Sequence, residues 1–263
     1  MVFGANYTVP KMIKDTVDKY PEVYAQYKRL PNNEFEPITY RDMFQYGMDF
    51  GAALISIGVK KEDKIGLISD NRAEWQQADI GIMAIGAIDV PRGCDATIID
   101  LEKILSITEA EIVIAENNSQ VQKILSLKDK LPALKTFICF ENDVKPETAD
   151  LAKEKNVEII YFSEMLKIGQ KWRIENKGKV EELMEEGKAD DVATIIFTSG
   201  TTGDPKGVVL THNNFLAQLD ELPERIFVNP GDKALSVLPI WHVFEREVEY
   251  VIMIQAGTIC YSK

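Results

Sequence analysis

The run Thr194-Ile195-Ile196-Phe197-Thr198-Ser199-Gly200-Thr201-Thr202-Gly203-Asp204-Pro205-Lys206-Gly207-Val208-Val209-Leu210 organises the reading of this chain. Its opening residues are β-branched or aromatic, the composition of a buried strand. Hydroxyls, glycines and a single lysine follow, so a strand runs into a loop suited to anions. Gly200, Gly203 and Gly207 can take positive φ and bring backbone N–H groups against phosphate oxygens. Ser199, Thr201 and Thr202 add hydroxyl donors, and Lys206 adds a mobile point charge. The expected guest is a polyphosphate. A Walker loop would need Gly, four residues, then Gly-Lys-Ser/Thr opening a helix, whereas here Lys206 precedes Gly207 and the β-rich run Val208 to Leu210 follows. That spacing excludes a Walker loop.

Outward from this run, 263 residues with 45% hydrophobic content suffice for one large domain or two smaller ones, each with a real core. The balance of 30 basic against 42 acidic residues gives a net charge of −12, which argues against a nucleic-acid partner because phosphate neutralisation there needs a basic face. Positive charge for a nucleotide must then be local, and Lys206 is the candidate. Cys94, Cys139 and Cys260 are far apart, odd in number and without metal-type spacing, which reads as free buried thiols in a reducing compartment and gives no metal ligand set. The N-terminus lacks a basic region followed by an apolar core, and no run approaches the ~18 apolar residues of a membrane span. The expected setting is cytoplasmic, at most peripheral to a membrane.

Along the chain, strand and helix alternate. Lys11 to Leu30 reads as a short helix and a second helix broken at Pro21. A clearer helix follows Ile38-Thr39-Tyr40, with Phe44, Met48, Ala52, Leu54 and Ile55 on one stripe and Gly58 as its stop. Lys64–Ser69 is an apolar strand, and Asn71 with Glu74 resembles a capping box opening a helix that holds Trp75, Ile80, Met83 and Ile85. A strand at Ala87–Val90 should stop at Pro91. Thr97 caps a helix whose buried face carries Ile98, Leu101, Leu105 and Thr108. Strands at 111–115, 136–140 and 157–162, with a helix at 121–127, complete a parallel α/β pattern: parallel β-sheets covered by helices on both faces. Charge gathers between Ser163 and Asp191, with Glu181, Glu182, Glu185 and Glu186 on a solvated helix, so the division is expected between a first sub-domain, 1–190, and the start of a second, 191–263. After the glycine-rich run, a helix from Asn213 to Leu219 is capped by Asn213 or Asn214. Lys233–Leu238 is a further apolar strand ending at Pro239, and Gly257–Tyr261 begins another.

A second motif, Leu238-Pro239-Ile240-Trp241-His242-Val243-Phe244-Glu245-Arg246-Glu247, sits at a strand's carboxyl end, where open parallel sheets place ligands. Taken alone His242 could be a structural histidine, Trp241 and Phe244 core aromatics, and Glu245 with Arg246 a mutual surface ion pair. The run TSGTTGDPKGV continuing into Leu210-Thr211-His212-Asn213-Asn214 resembles the signature loop of the acyl-adenylate-forming (AMP-binding) superfamily. The Phe-Glu-Arg ending of the second motif resembles its long-chain fatty acyl-CoA synthetase branch. Ile65–Trp75 and Ala84–Pro91 look like that family's opening sub-domain. Arg92-Gly93-Cys94-Asp95 departs from it, since relatives carry an apolar and aromatic turn there.

The resemblance implies ATP-dependent attack of a fatty-acid carboxylate on the α-phosphorus, then transfer of the acyl group to coenzyme A. Thr198, Ser199, Gly200, Thr201, Thr202, Gly203 and Lys206 would hold the phosphates, with Lys206 neutralising the leaving pyrophosphate. His242 would act catalytically at the acyl carboxylate, with Trp241 and Phe244 around the acyl chain, and His212 would end a strand and enter a helix. Magnesium is implied as well, its protein ligand expected in segments beyond Lys263, together with the adenine and ribose contacts and a C-terminal domain. The expectation is therefore an amino-terminal portion, inactive alone. A homodimer and peripheral membrane contact are compatible with this reading. Two others stay open: an amino-acid-activating adenylation domain, and a short non-catalytic nucleotide-binding protein.

Overall fold

The computed structural model describes residues 3–30, 32–198 and 205–262. Helix α1 (Val9–Lys19) opens where Thr8, in extended backbone, accepts a hydrogen bond from the Lys11 N–H, with a proline in the first turn. Strands β1 (Tyr24–Arg29) and β2 (Phe35–Thr39) follow, and Thr39 caps α2 (Tyr40–Ser56). Next come β3 (Lys64–Ile68), α3 (Ala73–Ala84) and β4 (Ile88–Arg92). Thr97 and Asp100 form a reciprocal capping box for α4 (Ile98–Thr108), which leads to β5 (Ile112–Ala115), α5 (Asn118–Leu125) and β6 (Thr136–Cys139). Helix α6 (Pro146–Glu154), β7 (Glu158–Tyr161), α7 (Phe162–Glu175) and α8 (Lys179–Glu186) continue the alternation. The last part holds β8 (Val192–Thr198), β9 (Lys206–Thr211), α9 (His212–Glu221), β10 (Lys233–Leu235), α10 (Val243–Ile254) and β11 (Thr258–Cys260).

Seven strands in the order β7-β6-β5-β3-β4-β8-β9 form the main sheet. All neighbours are parallel except β8 and β9, an antiparallel hairpin. Because side chains alternate along a strand, Ile112 and Ile114 of β5 join one core while Val113 and Ala115 join the other. The first core packs under α2, α3 and α7; the second lies against α4, α5 and α6. This is the helix-covered parallel sheet that continuous apolar strands require.

The second sheet has the order β10-β11-β1-β2. It corrects two expectations. Tyr24 to Arg29, read as a second helix, is a strand because β11, more than two hundred residues away, pairs with it in parallel through Gln26↔Ile259 and Tyr27↔Cys260. The expected strand from Lys233 to Leu238 ends at Leu235; the Ser236 N–H still donates to the Cys260 carbonyl at 3.0 Å, and from Val237 onward the backbone is held by side chains. The expected division at 190/191 falls just before β8, which pairs with β4, so the main sheet runs across that position.

Capping was partly misread. Arg72, with no side-chain cap bond, precedes α3, since Asn71 is engaged elsewhere and Glu74 pairs with Arg72 and Lys28. Helix α9 is capped by Thr211, with Asn214 completing the box. Strand β4 passes through Pro91, opposite Leu67, and ends at Arg92. Helix α6 was missed, although a proline in its first turn and Glu147 after it are ordinary start signals. The charged segment is largely solvated as expected, but α7 also packs on α2, where Arg173 reaches the buried Asp49 at 2.6 Å.

Helices α2 and α3 cross at glycines. A Cβ on Gly81 would stand 2.5 Å from the Gly47 carbonyl oxygen and 2.9 Å from the Gly51 nitrogen, with backbone on both sides and nothing flexible to yield. Gly81→Ala is therefore expected to destabilise the fold by about 1–3 kcal/mol in spite of better helix propensity. Gly4→Ala, with nothing within 4 Å, should change stability by less than about 0.5 kcal/mol. Urea midpoints of the two variants check this.

Candidate active site

Strand β8 enters the hairpin with Thr198 directly opposite Lys206, the first residue of β9. Both are exposed, and among the described residues Lys206 has no ion-pair partner. Ser199, Gly200, Thr201, Thr202 and Gly203 lie outside the described residues. A strand, not a helix, follows the lysine, as the spacing required. Gly207 is not a loop glycine: it pairs with Phe197 inside the ladder, and a Cβ there would press on Ile195 Cγ2 at 3.0 Å.

The parallel pairing Asp89↔Thr194 puts Arg92 and Thr198 at the same, carboxyl, end of the sheet. There the Arg92 guanidinium stacks on the Trp241 ring, 4.6 Å from its centroid. Gly93 lies so close under the indole that a Cβ would fall 2.2 Å from Trp241 Nε1. The segment Arg92 to Asp95 is thus what seats Trp241. His242 is the next residue and the N-cap of α10. Its Nδ1 accepts from the Phe244 N–H at 3.3 Å, and its ring stands edge-on to Trp241. The imidazole is exposed, and its other nitrogen bonds to no described residue. Hairpin mouth and His242 therefore open at one end of the sheet, where ligands of open α/β sheets bind.

Buried charge fixes α10 in place. Arg246 is fully buried, which closes the alternative that it forms a surface ion pair with Glu245. Its guanidinium donates to Asp89 Oδ1 at 2.9 Å and Oδ2 at 3.2 Å, and also to Asp79 Oδ1. Arg246 Nε donates to the Tyr250 hydroxyl at 2.8 Å, which in turn donates to Asp79 Oδ2 at 2.5 Å. Thr194 of β8 donates to Asp89 Oδ2 at 3.2 Å. One cation thereby ties α10 to α3, β4 and β8. Burial pushes the Asp79 carboxyl up, with Asp89 adding to the rise and Arg246 opposing it.

The loop before α10 is held from beneath. Asn71 Nδ2 donates to Ser236 Oγ at 2.7 Å and to the Leu238 carbonyl at 2.6 Å, and Asn71 Oδ1 accepts from the Ile240 N–H at 2.9 Å. Glu245 accepts from the Val237 N–H. Glu249, 1% exposed, accepts from Gln76, Ser236 and Tyr261. Burial raises its carboxyl to about 7 even so.

Two cavities flank this motif. One, of about 330 Å³, is bounded by Asp70, Asn71, Asp95, Ser236, Pro239 and Trp241. The other, of about 370 Å³, lies between α9 and α10 and is walled by Phe215, Leu222, Ile226, Val243, Phe244 and Val251 among others. Phe244, 60% exposed, belongs to that wall rather than to the core. His212, by contrast, is buried and structural: its Nδ1 accepts from the Val9 N–H, and burial lowers it to about 4. Asp70, Cys94 and Glu116 also cluster at the sheet's carboxyl end, but they hold each other. Cys94 N–H donates to Asp70 and Asp70 N–H to Glu116, and burial beside two carboxylates keeps the thiol protonated. All three cysteines are free.

Sequence reasoning missed Asp79, Asp89 and Glu249, read Asn71 as a capping residue, and left open that Arg246 pairs with Glu245 at the surface. An aspartate inside the apolar strand Ile88-Asp89-Val90 was the available signal, because an acid in such a strand must find a partner.

The profile of the AMP-binding enzyme family matches residues 13–263, and the chain belongs to that family. It is 34% identical over 253 residues to "Probable acyl-activating enzyme 16, chloroplastic" of Arabidopsis thaliana, covering 93% of this chain and 34% of that one. Identity to "Fatty acyl-CoA synthetase B" of Dictyostelium discoideum is 31% over 252 residues, covering 92% and 36%. The chain thus spans about a third of the length of the curated relatives it matches. The fold is similar to that of a Mycobacterium tuberculosis fatty acyl CoA synthetase, with TM-score 0.73 and 21% identity over 97% of this chain and 44% of that one. The A-PCP didomain of a carboxylic acid reductase from Segniliparus rugosus, in complex with AMP, superposes with TM-score 0.77 at 17% identity, covering 97% and 39%.

Arg246→Met should cost about 3–5 kcal/mol, since it strands two buried carboxylates, and adding Asp79→Asn and Asp89→Asn should restore much of the loss; denaturant midpoints report both. Glu249 sets a pH dependence of opposite sign to that of a salt-bridged acid. Between the ordinary glutamate value of 4.5 and about 7 the folded chain keeps a proton that the unfolded chain releases. Its contribution is therefore fully present below that window and falls away as pH rises through it. Glu249→Gln removes the effect, so its melting temperature should gain on the parent by several degrees between about pH 5 and about pH 8.

Proposed function

We propose that this chain forms part of an ATP-dependent acid–thiol ligase that activates a fatty acid as its acyl-adenylate and passes the acyl group to coenzyme A. The observation that carries this reading is a convergence at the carboxyl end of the sheet. Thr198 and Lys206 face each other at a hairpin mouth, His242 caps α10, and an apolar cavity begins at Val243 and Phe244, directly after that histidine. Relatives named as long-chain-fatty-acid–CoA ligases support the fatty-acid assignment. An apolar cavity of this size suits a hydrocarbon chain better than a polar amino acid.

In this reaction the fatty-acid carboxylate attacks the α-phosphorus of ATP and pyrophosphate departs. Negative charge grows on the leaving group, so donors fixed in advance act by positioning and electrostatic stabilisation. Lys206 supplies an ammonium free of any described ion-pair partner, and Thr198 a hydroxyl, with Ser199 to Gly203 proposed to add backbone and hydroxyl donors. In this reading His242, oriented by the Phe244 N–H, meets the carboxylate, with Phe244 in the wall beside the chain that carries it and Trp241 on the neighbouring cavity. Magnesium would accompany ATP and screen its phosphates. Three unpaired thiols fit the reducing, cytoplasmic setting proposed with this activity, and no described helix is long and apolar enough to cross a membrane.

Lys206→Ala, introduced into the complete ligase and followed by ATP–pyrophosphate exchange, is expected to lower kcat/KM about a hundredfold with the melting temperature unchanged. Wild-type exchange rates in that variant would remove Lys206 from the reaction.

A further inference from the structure

Arg92 closes β4 on a rigid backbone: it pairs with Ile68 on β3, and its carbonyl accepts from the Ser69 N–H at 3.0 Å. Its guanidinium stacks on Trp241, which fixes the plane of the group and leaves its N–H edge as the part that can donate. Among the described residues no carboxylate pairs with that edge and no acceptor takes its N–H groups, and Nε is enclosed without a partner. Asp95 follows three residues later. Asp70 reaches the same loop, but its Oδ1 accepts from the Cys94 N–H at 3.1 Å rather than from Arg92. A half-buried cation with no counter-ion is unusual in a chain of 42 acidic residues, because partial desolvation favours pairing.

We propose that Arg92 binds the carboxylate of the fatty acid, as a second group beside His242. The inference rests on the ligase reading above and adds a residue to its site. A guanidinium held flat against an indole presents two parallel N–H groups, the fork that a pair of carboxylate oxygens matches. Placement separates this role from that of Lys206. In the sheet order β4-β8-β9, Arg92 and Lys206 leave the strands on either side of β8, so their backbones stand about 10 Å apart, two strand spacings. Lys206 lies opposite Thr198 at the hairpin mouth, whereas Arg92 covers Trp241, the residue before His242. The two cations therefore serve different anions, the leaving phosphates and the incoming carboxylate. His242 Nδ1 already accepts from the Phe244 N–H, which leaves Nε2–H of the neutral ring as a single donor. Arg92 supplies the positive charge that such a ring lacks, and so offsets the repulsion between the carboxylate and the phosphates it approaches.

Steady-state kinetics of the complete ligase test this, with palmitate and ATP varied in turn and hexadecanol, which has the same chain and no charge, as a competitive inhibitor. In Arg92→Met, whose unbranched stem keeps an apolar contact with Trp241, the KM for palmitate should rise about tenfold to a hundredfold, as loss of a charge-assisted fork predicts. The KM for ATP and the inhibition constant of hexadecanol should stay within about twofold of the parent. Arg92→Lys, which keeps the charge without the fork, should fall between the two, and added methylguanidinium should restore part of the activity of Arg92→Ala. If Arg92 only seated Trp241, palmitate and hexadecanol would weaken together. That result, an unchanged KM for palmitate, or a rise confined to ATP would overturn the assignment while leaving the ligase reading intact. A complete enzyme that activates no fatty acid would remove that reading and this inference with it.

Discussion

A single buried guanidinium organises the carboxyl end of the main sheet. Arg246 sits between Asp79 and Asp89 with no solvent to share the charge. Two carboxylates and a tyrosine hydroxyl are therefore obligatory partners rather than optional ones. The partners come from α3 and β4, and Asp89 also accepts from Thr194 on β8. Moving α10 would break several charge-assisted bonds at once in a low-dielectric interior, where each is expensive to lose. The helix that begins at His242 is thereby locked in register with the strand that ends at Thr198.

That lock explains how exposed groups can be held accurately. His242, Thr198 and Lys206 are at the surface, where side chains are ordinarily mobile. The backbone beneath them is pinned by Asn71 under residues 236–240, by Glu249 under Ser236, and by Arg92 against Trp241. Rigid support behind open groups is the arrangement that electrostatic catalysis calls for.

Much of this was legible before any coordinates. The continuous apolar strands 64–68, 112–115 and 136–139 and the helix capped at Thr97 are local signals, and they stood where hydrophobic pattern and cap chemistry put them. The strand after Lys206 was legible because Val208, Val209 and Leu210 disfavour a helix start there. The errors share a cause. Tyr24–Arg29 has an ambiguous pattern that only pairing with β11 resolves. Asn71 and Glu74 have capping-box spacing, but distant partners compete for both side chains and win. Glu245 and Arg246 look like a solvated pair because adjacency in sequence says nothing about which face of a helix is buried.

The amino-acid sequence alone determined the layered parallel sheet and the strand that follows Lys206, because each depends on periodicity, turn chemistry or short-range spacing. Tertiary structure decided which acids pair with Arg246, how Arg92 seats Trp241, and that the first and last strands share a second sheet. Those outcomes depend on contacts between residues a hundred or more positions apart, or on which side of a helix meets the core, and neither is encoded in any local stretch of the chain.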